Sequence, residues 1–212
     1  MKKYLALIAI SALFLSSCGK KATNTEVSPS PTPRLVELEL SQRPEISLTP
    51  RADGHELTLK FTSISSEIKK IEYELTYLAV DGELEIEKGV SGTIDHDDFV
   101  SASANRKLLL GTESCTNGCK YKYDSGVSGG NLIVTFTTNS NQIASFETPF
   151  ALKTTADIKK DGKLSLQDEF FLTPKAKLTG SDYFIVLKSY QGGYSVFSNT
   201  NSALNGQYPS SQ

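Results

Sequence analysis

The sequence predicts an all-β protein whose strands form an antiparallel β-sandwich, and three observations lead to this fold class. Apolar and polar residues alternate with a period of two in one segment after another, which is typical of strands with one buried face. Turn-forming residues separate these segments, as at Asp81-Gly82 and Asn139-Ser140-Asn141. No long segment has a helical period.

The predicted strands follow one another at short intervals. In residues 70–77, KIEYELTY, the apolar side chains fall on one face and the glutamates on the other. Residues 35–40, LVELEL, also alternate and are a candidate for a short first strand. The remaining strands are predicted at residues 55–62, 82–87, 131–137, 142–148, 183–188 and 194–197.

These strands predict one sandwich domain at residues 44–153. The strand that carries Tyr73 and Tyr77, preceded by LTLKF, resembles the B and C strands of immunoglobulin-like and fibronectin-III-like domains. Residues 154–198 are expected to extend the sandwich or to form a small β-rich subdomain, because they are few for an independent domain. Residues 199–212 are polar and are expected to form a flexible tail.

The N-terminus has the features of an export signal. Lys2 and Lys3 precede an uncharged apolar run at residues 4–15, which is too short to span a bilayer and has the length of a signal-peptide core. The run leads into LFLSSC, in which Leu15, two serines and Cys18 follow one another. Charged start, apolar core and Leu-Ser-Ser-Cys together resemble the lipobox signal peptide of bacterial lipoproteins.

This resemblance implies a lipid anchor. Cys18 would carry a diacylglycerol group on its sulfur, and cleavage before it would remove residues 1–17. Two or three acyl chains anchor a protein stably, whereas one chain does so only marginally. We therefore expect the protein on the extracytoplasmic side of the cell membrane or the outer membrane, with the membrane as its partner through the lipid.

Residues 18–43 are expected to link this anchor to the domain. Proline at every second position of SPSPTP favours an extended polyproline II conformation. The residues from 19 to 34 include almost no large apolar side chain, so they cannot form a core. The linker would lift the domain away from the lipid headgroups.

The charge of the chain argues against nucleic acid as a partner. The sequence contains 22 basic and 24 acidic residues, which gives a formal net charge of −2. Loss of Lys2 and Lys3 with the signal peptide makes the protein more negative. Nucleic acids and anionic lipid surfaces bind basic patches, so an envelope protein or a glycan is the more plausible partner.

The two cysteines that remain after lipidation of Cys18 are predicted to form a disulfide. Cys115 and Cys119 enclose three residues, which is not the C-x-x-C spacing of redox motifs, and export permits their oxidation. The bond would close the turn at Asn117-Gly118. KYKY follows, and two interpretations are open: a strand with its tyrosines inward and lysines outward, which the alternation favours, or a contact surface beside a fixed, exposed loop.

Residues 157–168 resemble an EF-hand calcium loop. Asp157, Asp161, Ser165 and Asp168 stand at ligand positions 1, 5, 9 and 12 of that motif. The match departs from the motif at position 3, where Lys159 puts an ammonium group in place of a ligand. The alternative is a β-hairpin that turns at the DG pair of this segment, with LSLQDEFFL as its returning strand.

The sequence offers no catalytic residues that we can assign. Asp95-His96-Asp97-Asp98 could supply metal ligands or a general acid and base, but four neighbours on a strand end cannot converge on one ion. We interpret them as an acidic turn after a strand. The sequence has no G-x-S-x-G, H-E-x-x-H, P-loop or dinucleotide fingerprint.

The sequence therefore predicts a lipid-anchored, non-enzymatic protein of the cell envelope that displays a β-sandwich or binds a protein or glycan with it. Two alternatives remain open. An envelope hydrolase or a chaperone-like helper would need a deep pocket that combines Asp95, His96 or Asp98 with distant polar groups. A surface domain stabilised by calcium would use the Asp157–Asp168 segment. The expected covalent group is the lipid on Cys18, and calcium is expected only in the second alternative. We expect no other cofactor.

Overall fold

The computed structural model describes residues 34–175 and 177–210 and shows an all-β fold in which sheets pack face to face. The predicted signal peptide at residues 1–17, the predicted lipidation site Cys18 and the proline-rich part of the predicted linker lie outside the described residues. The described residues all belong to one compact unit. No helix in the described part of the chain has the length and apolar character needed to cross a membrane.

Fifteen strands and one α-helix make up the described chain. The first eight strands are β1 (Arg34–Leu35), β2 (Glu45–Pro50), β3 (Glu56–Thr62), β4 (Ile68–Asp81), β5 (Leu84–Asp95), β6 (Ala104–Leu109), β7 (Gly111–Cys115) and β8 (Cys119–Tyr123). The others are β9 (Gly129–Thr138), β10 (Gln142–Thr154), β11 (Leu164–Leu166), β12 (Phe170–Leu172), β13 (Tyr183–Lys188), β14 (Tyr194–Ser198) and β15 (Gly206–Tyr208), with helix α1 (Thr155–Asp161) between β10 and β11.

A large sheet and a small sheet form the two layers of the sandwich. The large sheet has the order β15-β14-β13-β10-β9-β4-β5, with β1 added in parallel beside the start of β10. The small sheet has the order β2-β3-β6. Every other pairing is antiparallel, and two separate hairpins, β7–β8 and β11–β12, lie outside the two layers.

The main core fills the space between the two sheets. Alternating side chains of β4 point into it, and the same is true of β3 and β9, which confirms the period-two interpretation of these segments. The fully buried large side chains include Phe61, Leu75 and Phe136, and the rings of Phe61 and Phe136 meet edge to face with centroids 6.3 Å apart. This burial is the main source of the stability of the sandwich.

A second core lies on the opposite face of the large sheet. Strand β13 is buried on both faces, because Ile185 and Leu187 point into the main core while Phe184 and Val186 point into the second. Helix α1 contributes Ile158 to this second core, which the β11–β12 hairpin also covers. The C-terminal residues therefore complete the same sheet and add a third layer to it.

The two ends of the sandwich differ, and we name them by their residues. The proximal end contains Arg34, where the described chain begins, and the β9–β10 turn at residues 139–141; Arg34 pairs with Gln142. The distal end contains the β4–β5 turn at residues 82–83 and the β2–β3 turn at residues 51–55. Gly54 allows the second of these turns to pack closely, because a Cβ there would lie 2.4 Å from the ring of Tyr183.

The structure differs from the expected domain boundaries at both termini of the domain. Residues 34–43, which we assigned to the linker, lie on the domain: Leu38 is buried, and the guanidinium of Arg43 lies 5.1 Å from the ring centre of Tyr190. Residues 199–210, which we expected to be a flexible tail, include β15, and Leu204 and Tyr208 pack on the second core. A few apolar side chains are enough to fix each segment.

Candidate binding surface at the distal end

The β7–β8 hairpin projects from the distal end of the sandwich. Its two strands pair in register from Gly111 and Tyr123 to Cys115 and Cys119, and a disulfide joins the two cysteines, as the sequence predicted. The turn between them requires Gly118, whose φ of 98° is unfavourable for other residues. All five residues of β8 are exposed, so the hairpin has no buried face of its own.

The two tyrosines of this hairpin face solvent. Tyr121 is 51% exposed and Tyr123 is 41% exposed, so the interpretation of KYKY as a strand with inward tyrosines is wrong. The alternation along β8 is real, but a two-stranded hairpin outside the sandwich gives neither face a core to enter. The tyrosine rings lie 6.0 Å apart between centroids and are nearly parallel, with 13° between their planes.

Residues from the β2–β3 turn complete this surface. The His55 ring stacks on Tyr123 with centroids 4.4 Å apart, and the Arg51 guanidinium lies 5.7 Å from the centre of the same ring. We call Arg51, His55, Tyr121 and Tyr123 the tyrosine surface. Its aromatic and guanidinium groups are those enriched where proteins bind partners.

Carboxylates hold the arginine of the tyrosine surface in place. The Arg51 Nε donates to Asp53 Oδ1 at 2.8 Å, and its Nη1 lies 3.3 Å from Glu56 Oε2. The hydrogen bond from Arg51 lowers the pKa of Asp53 to about 2, and in turn the hydrogen bond to Asp53 raises the pKa of Arg51. Arg51 is therefore oriented before any ligand arrives, which reduces the entropy lost on binding.

Tyr121 has an acidic neighbour on the opposite strand. The nearby Glu113 carboxylate, more than burial, raises the pKa of Tyr121 above its usual value. Tyr121 and Glu113 are directly paired across the β7–β8 hairpin. The surface therefore offers a ring face together with a carboxylate at its border, as suits a partner with both apolar and polar groups.

The base of the hairpin is attached to the large sheet by Asp124. This carboxylate, only 5% exposed, accepts a hydrogen bond from the Tyr77 hydroxyl at 2.8 Å and forms an ion pair with the Lys88 ammonium. Burial and the bond to Asp124 raise the pKa of Tyr77. The attachment fixes where the exposed tyrosines stand relative to the sandwich.

A groove of about 140 Å³ runs between the hairpin base and the tip of β4–β5, and both Ile86 and Tyr123 line it. At the same end of the domain, Leu84 is 69% exposed and Ile86 is 38% exposed. Apolar side chains that face solvent together at one end of a domain are typical of an interaction site. The tyrosine surface and the end of β5 are therefore neighbours.

The predicted calcium ligands lie in a helix, a strand and a turn. Asp157 belongs to the first turn of α1, where its Oδ2 accepts hydrogen bonds from the backbone N and the hydroxyl of Thr154 at 2.8 and 2.7 Å. These two bonds lower the pKa of Asp157. Asp161 ends the helix, Ser165 lies in β11, and Asp168 lies between β11 and β12. The calcium site stays a prediction, and Asp157 has a capping role that we did not expect.

The acidic cluster at residues 95–98 forms a surface turn. Asp95 ends β5 and a single 3-10 turn follows it, as the sequence predicted. The carboxylate of Asp98 contacts Arg106 at 2.5 Å, and the His96 side chain is exposed. A cavity of about 530 Å³ lies elsewhere, lined by residues between Leu172 and Tyr208, and none of the cluster borders it.

Several residues of the candidate surface could not be found from the sequence. Arg51, His55 and Asp124 carry no motif, and the first two are far from the hairpin along the chain. The adjacent signal was the Cys115–Cys119 pair, which indicated a fixed and exposed loop. Only the fold brings the β2–β3 turn to that loop.

Comparisons with known proteins give little further information. No family model matches the sequence, and no curated protein matches it. Among solved structures, the crystal structure of red sea bream transglutaminase matches at 10% identity with a TM-score of 0.24. The match covers 74% of this chain and 31% of that one, so the chain spans less than a third of that protein's length. At this TM-score we conclude nothing about fold or function from the match.

Proposed function

We propose that this chain is a lipid-anchored, non-enzymatic protein of the bacterial cell envelope that binds a protein or glycan with the distal end of its β-sandwich. The lipid on Cys18 would hold it to the membrane, and the proline-rich linker would act as a stalk. The domain would then work on the extracytoplasmic side.

The observation that carries this proposal is the position of the tyrosine surface relative to the start of the domain. The described chain begins at the proximal end with Arg34, whereas Tyr121 and Tyr123 lie at the distal end. Strand β4 runs between the two ends over 14 residues, which is a length on the order of 45 Å. A domain tethered through residues 18–33 would present its tyrosines away from the membrane.

The chemistry of the distal end supports binding. Tyrosine and arginine bury large contact areas and still form hydrogen bonds, so they dominate the affinity of many interfaces. The disulfide and the Asp124 attachment reduce the freedom of the β7–β8 hairpin before binding. The hydrolase alternative would need Asp95, His96 or Asp98 in a deep pocket, whereas these residues lie in an exposed surface turn.

The proposal is tested by comparing the full-length, lipidated protein with a Tyr121→Ala/Tyr123→Ala variant. Both are incubated with solubilised envelope proteins and with purified wall glycans, and the bound material is quantified. We expect the double variant to lose the retained component. Phe171→Ala is the matched control, because Phe171 is equally exposed and carries the Lys163 ammonium over its ring at 3.9 Å.

Two results would contradict the proposal. Equal retention by the wild type and the tyrosine variant would show that the two tyrosines do not contribute to binding. If membrane attachment and processing are unchanged in Cys18→Ser, the protein is not anchored by a lipid on Cys18. The two parts can fail separately, because the tyrosine variant leaves Cys18 intact.

A further inference from the structure

Strand β5 is a free edge of the large sheet. Among the described residues it pairs only with β4, over 12 consecutive residue pairs from Asp81–Leu84 to Lys70–Asp95 without a bulge. Edge strands that are long and regular offer a row of backbone donors and acceptors to another strand. Short length, bulges or proline commonly prevent this, and β5 has none of these.

The backbone groups that face the free edge can be identified from one contact. Val80 pairs with Glu85 and forms two hydrogen bonds with Ser125 on the side away from β5. Its N–H donates to the Ser125 carbonyl at 2.8 Å, and its carbonyl accepts from the Ser125 hydroxyl at 2.9 Å. Val80 and Glu85 are therefore a pair without mutual hydrogen bonds, so the backbone of Glu85 points away from β4. By alternation, the same holds for Glu87, Gly89 and Ser91.

The side chains along this edge have two chemical characters. Leu84 and Ile86 are exposed and lie on the face that continues the main core. Glu85 and Glu87 are exposed on the other face, and no ion pair with a basic residue is found for them in the described part of the chain. The one lysine of β5, Lys88, is already paired with Asp124.

These characters select the occupant of the edge. A strand that adds to β5 places alternate side chains beside Glu85 and Glu87. At these positions lysine or arginine strengthens the pairing, and an acidic residue weakens it. Its other side chains lie beside Leu84 and Ile86, where apolar residues strengthen the pairing by hydrophobic contact. A second copy that paired through the same acidic segment would bring glutamates together, which is unfavourable.

We infer that β5 binds an extended segment of a partner protein, with basic and apolar residues in alternation, by strand addition at residues 84–91. Backbone hydrogen bonds give the affinity of this interaction, and the two glutamates give its sequence specificity. This inference depends neither on the lipid anchor nor on the tyrosine surface, because strand addition would use the backbone of β5 and the side chains of Glu85 and Glu87, which do not belong to the tyrosine surface.

The test uses a fluorescent synthetic peptide of about ten residues that alternates lysine with valine, titrated into the full-length protein in neutral detergent. We expect binding that weakens with added salt, since exposed charges are screened. Glu87→Pro is the decisive variant, because it removes an N–H that faces the free edge and no bond to β4. We expect it to abolish detectable binding while the unfolding transition persists.

The double variant Glu85→Gln/Glu87→Gln is the matched control for charge, since it keeps every backbone donor. We expect its affinity for the peptide to fall roughly 2- to 30-fold, from the loss of two charge pairs. It also keeps the test decisive if Glu87→Pro does not fold. Tyr121→Ala should bind the peptide as the wild type does, which separates this site from the tyrosine surface.

Three results would overturn the inference. Equal binding of a glutamate–valine peptide would show that β5 does not select basic residues. Equal binding of a peptide with the same lysines and valines in two blocks would remove the alternation. A dimer in sedimentation experiments that Glu87→Pro dissociates would show that a second copy occupies the edge instead.

Discussion

The Tyr77 hydroxyl donates a hydrogen bond to Asp124, with 2.8 Å between Oη and Oδ2. Tyr77 is a buried residue of β4, the strand beside the free edge of the large sheet, and Asp124 directly follows the exposed β7–β8 hairpin. The bond therefore joins a buried side chain of the sandwich to the base of the exposed hairpin. The Lys88 ammonium pairs with the same carboxylate, so one acidic side chain holds two neighbours.

We predict that Asp124→Ala destabilises the protein by about 1 to 3 kcal/mol, because it leaves Tyr77 and Lys88 without their partner in a largely buried place. The measurement is the free energy of unfolding in urea. Asp124→Asn should lose less, because its amide oxygen still accepts from Tyr77. A change within about 0.5 kcal/mol for Asp124→Ala, the usual range for surface positions, would mean that the attachment contributes nothing.

The stability of the protein should also fall at alkaline pH. Burial, followed by the bond to Asp124, raises the pKa of Tyr77 above the value of about 10 in unfolded chains. Above this pH the unfolded state loses a proton that the folded state keeps, so stability decreases as pH rises. Tyr77→Phe should make this decrease shallower, measured as the urea midpoint between about pH 8 and pH 11.

The decrease should not vanish in Tyr77→Phe, because burial also raises the pKa of Tyr190 and Tyr208. At neutral pH the variant should lose about 1 kcal/mol for the missing hydrogen bond. Parallel pH profiles of the variant and the wild type would show that Tyr77 keeps no raised pKa.

Removing the disulfide should loosen the hairpin and leave the sandwich intact. The loop between Cys115 and Cys119 is short, so its closure is worth at most about 2 kcal/mol in the chain-entropy model. Because β8 buries no residue, opening the hairpin exposes little new apolar surface. In a Cys115→Ser/Cys119→Ser variant we expect faster amide hydrogen exchange in β7 and β8.

The control for this prediction is the exchange of β4 and β9 in the same sample, which should not change. Exchange that increases in both regions would show that the disulfide stabilises the whole domain. The same variant should also bind more weakly to any ligand of the tyrosine surface, because the hairpin must then be ordered on binding.

The parts of the fold that the sequence predicted are those where a local pattern decides the structure. The alternation in residues 70–77 needs only one buried face, and the Asp81-Gly82 turn needs only a tight connection, so the β4–β5 hairpin was expected. Both strands are longer than predicted, and β5 extends to Asp95. The disulfide was expected because Cys115 and Cys119 are close in sequence and its turn contains glycine.

The parts that were missed depend on contacts between distant residues. Alternation in KYKY shows that two faces differ but not which face is covered, and here neither is. Residues 34–43 include four apolar side chains, but the contacts of Arg43 with the carbonyl of Leu38 and the ring of Tyr190, which help to fix the segment, cannot be read from the sequence. Helix α1 has only seven residues, too few to show a helical period.

Asp157 should stabilise the protein as a helix cap, without any metal. Its carboxylate accepts two hydrogen bonds from Thr154, while its own N–H donates to the Thr154 hydroxyl at 3.1 Å. We predict that Asp157→Ala costs about 1 kcal/mol at neutral pH, measured by urea unfolding in the presence of a chelator. The pKa of Asp157 is lowered in the folded state, so this contribution is present above about pH 4 and is lost as the pH falls through the lowered value.

Asp161→Ala separates this capping role from the predicted calcium site. Asp161 lies at the other end of α1, where an acid is unfavourable for the helix dipole, so its removal should leave stability unchanged or slightly higher in the chelator. A calcium site would need both carboxylates, and each substitution would then abolish the heat of a calorimetric calcium titration. Loss of stability in Asp157→Ala alone, with no heat from the wild type at millimolar calcium, would leave capping as the whole role of this residue.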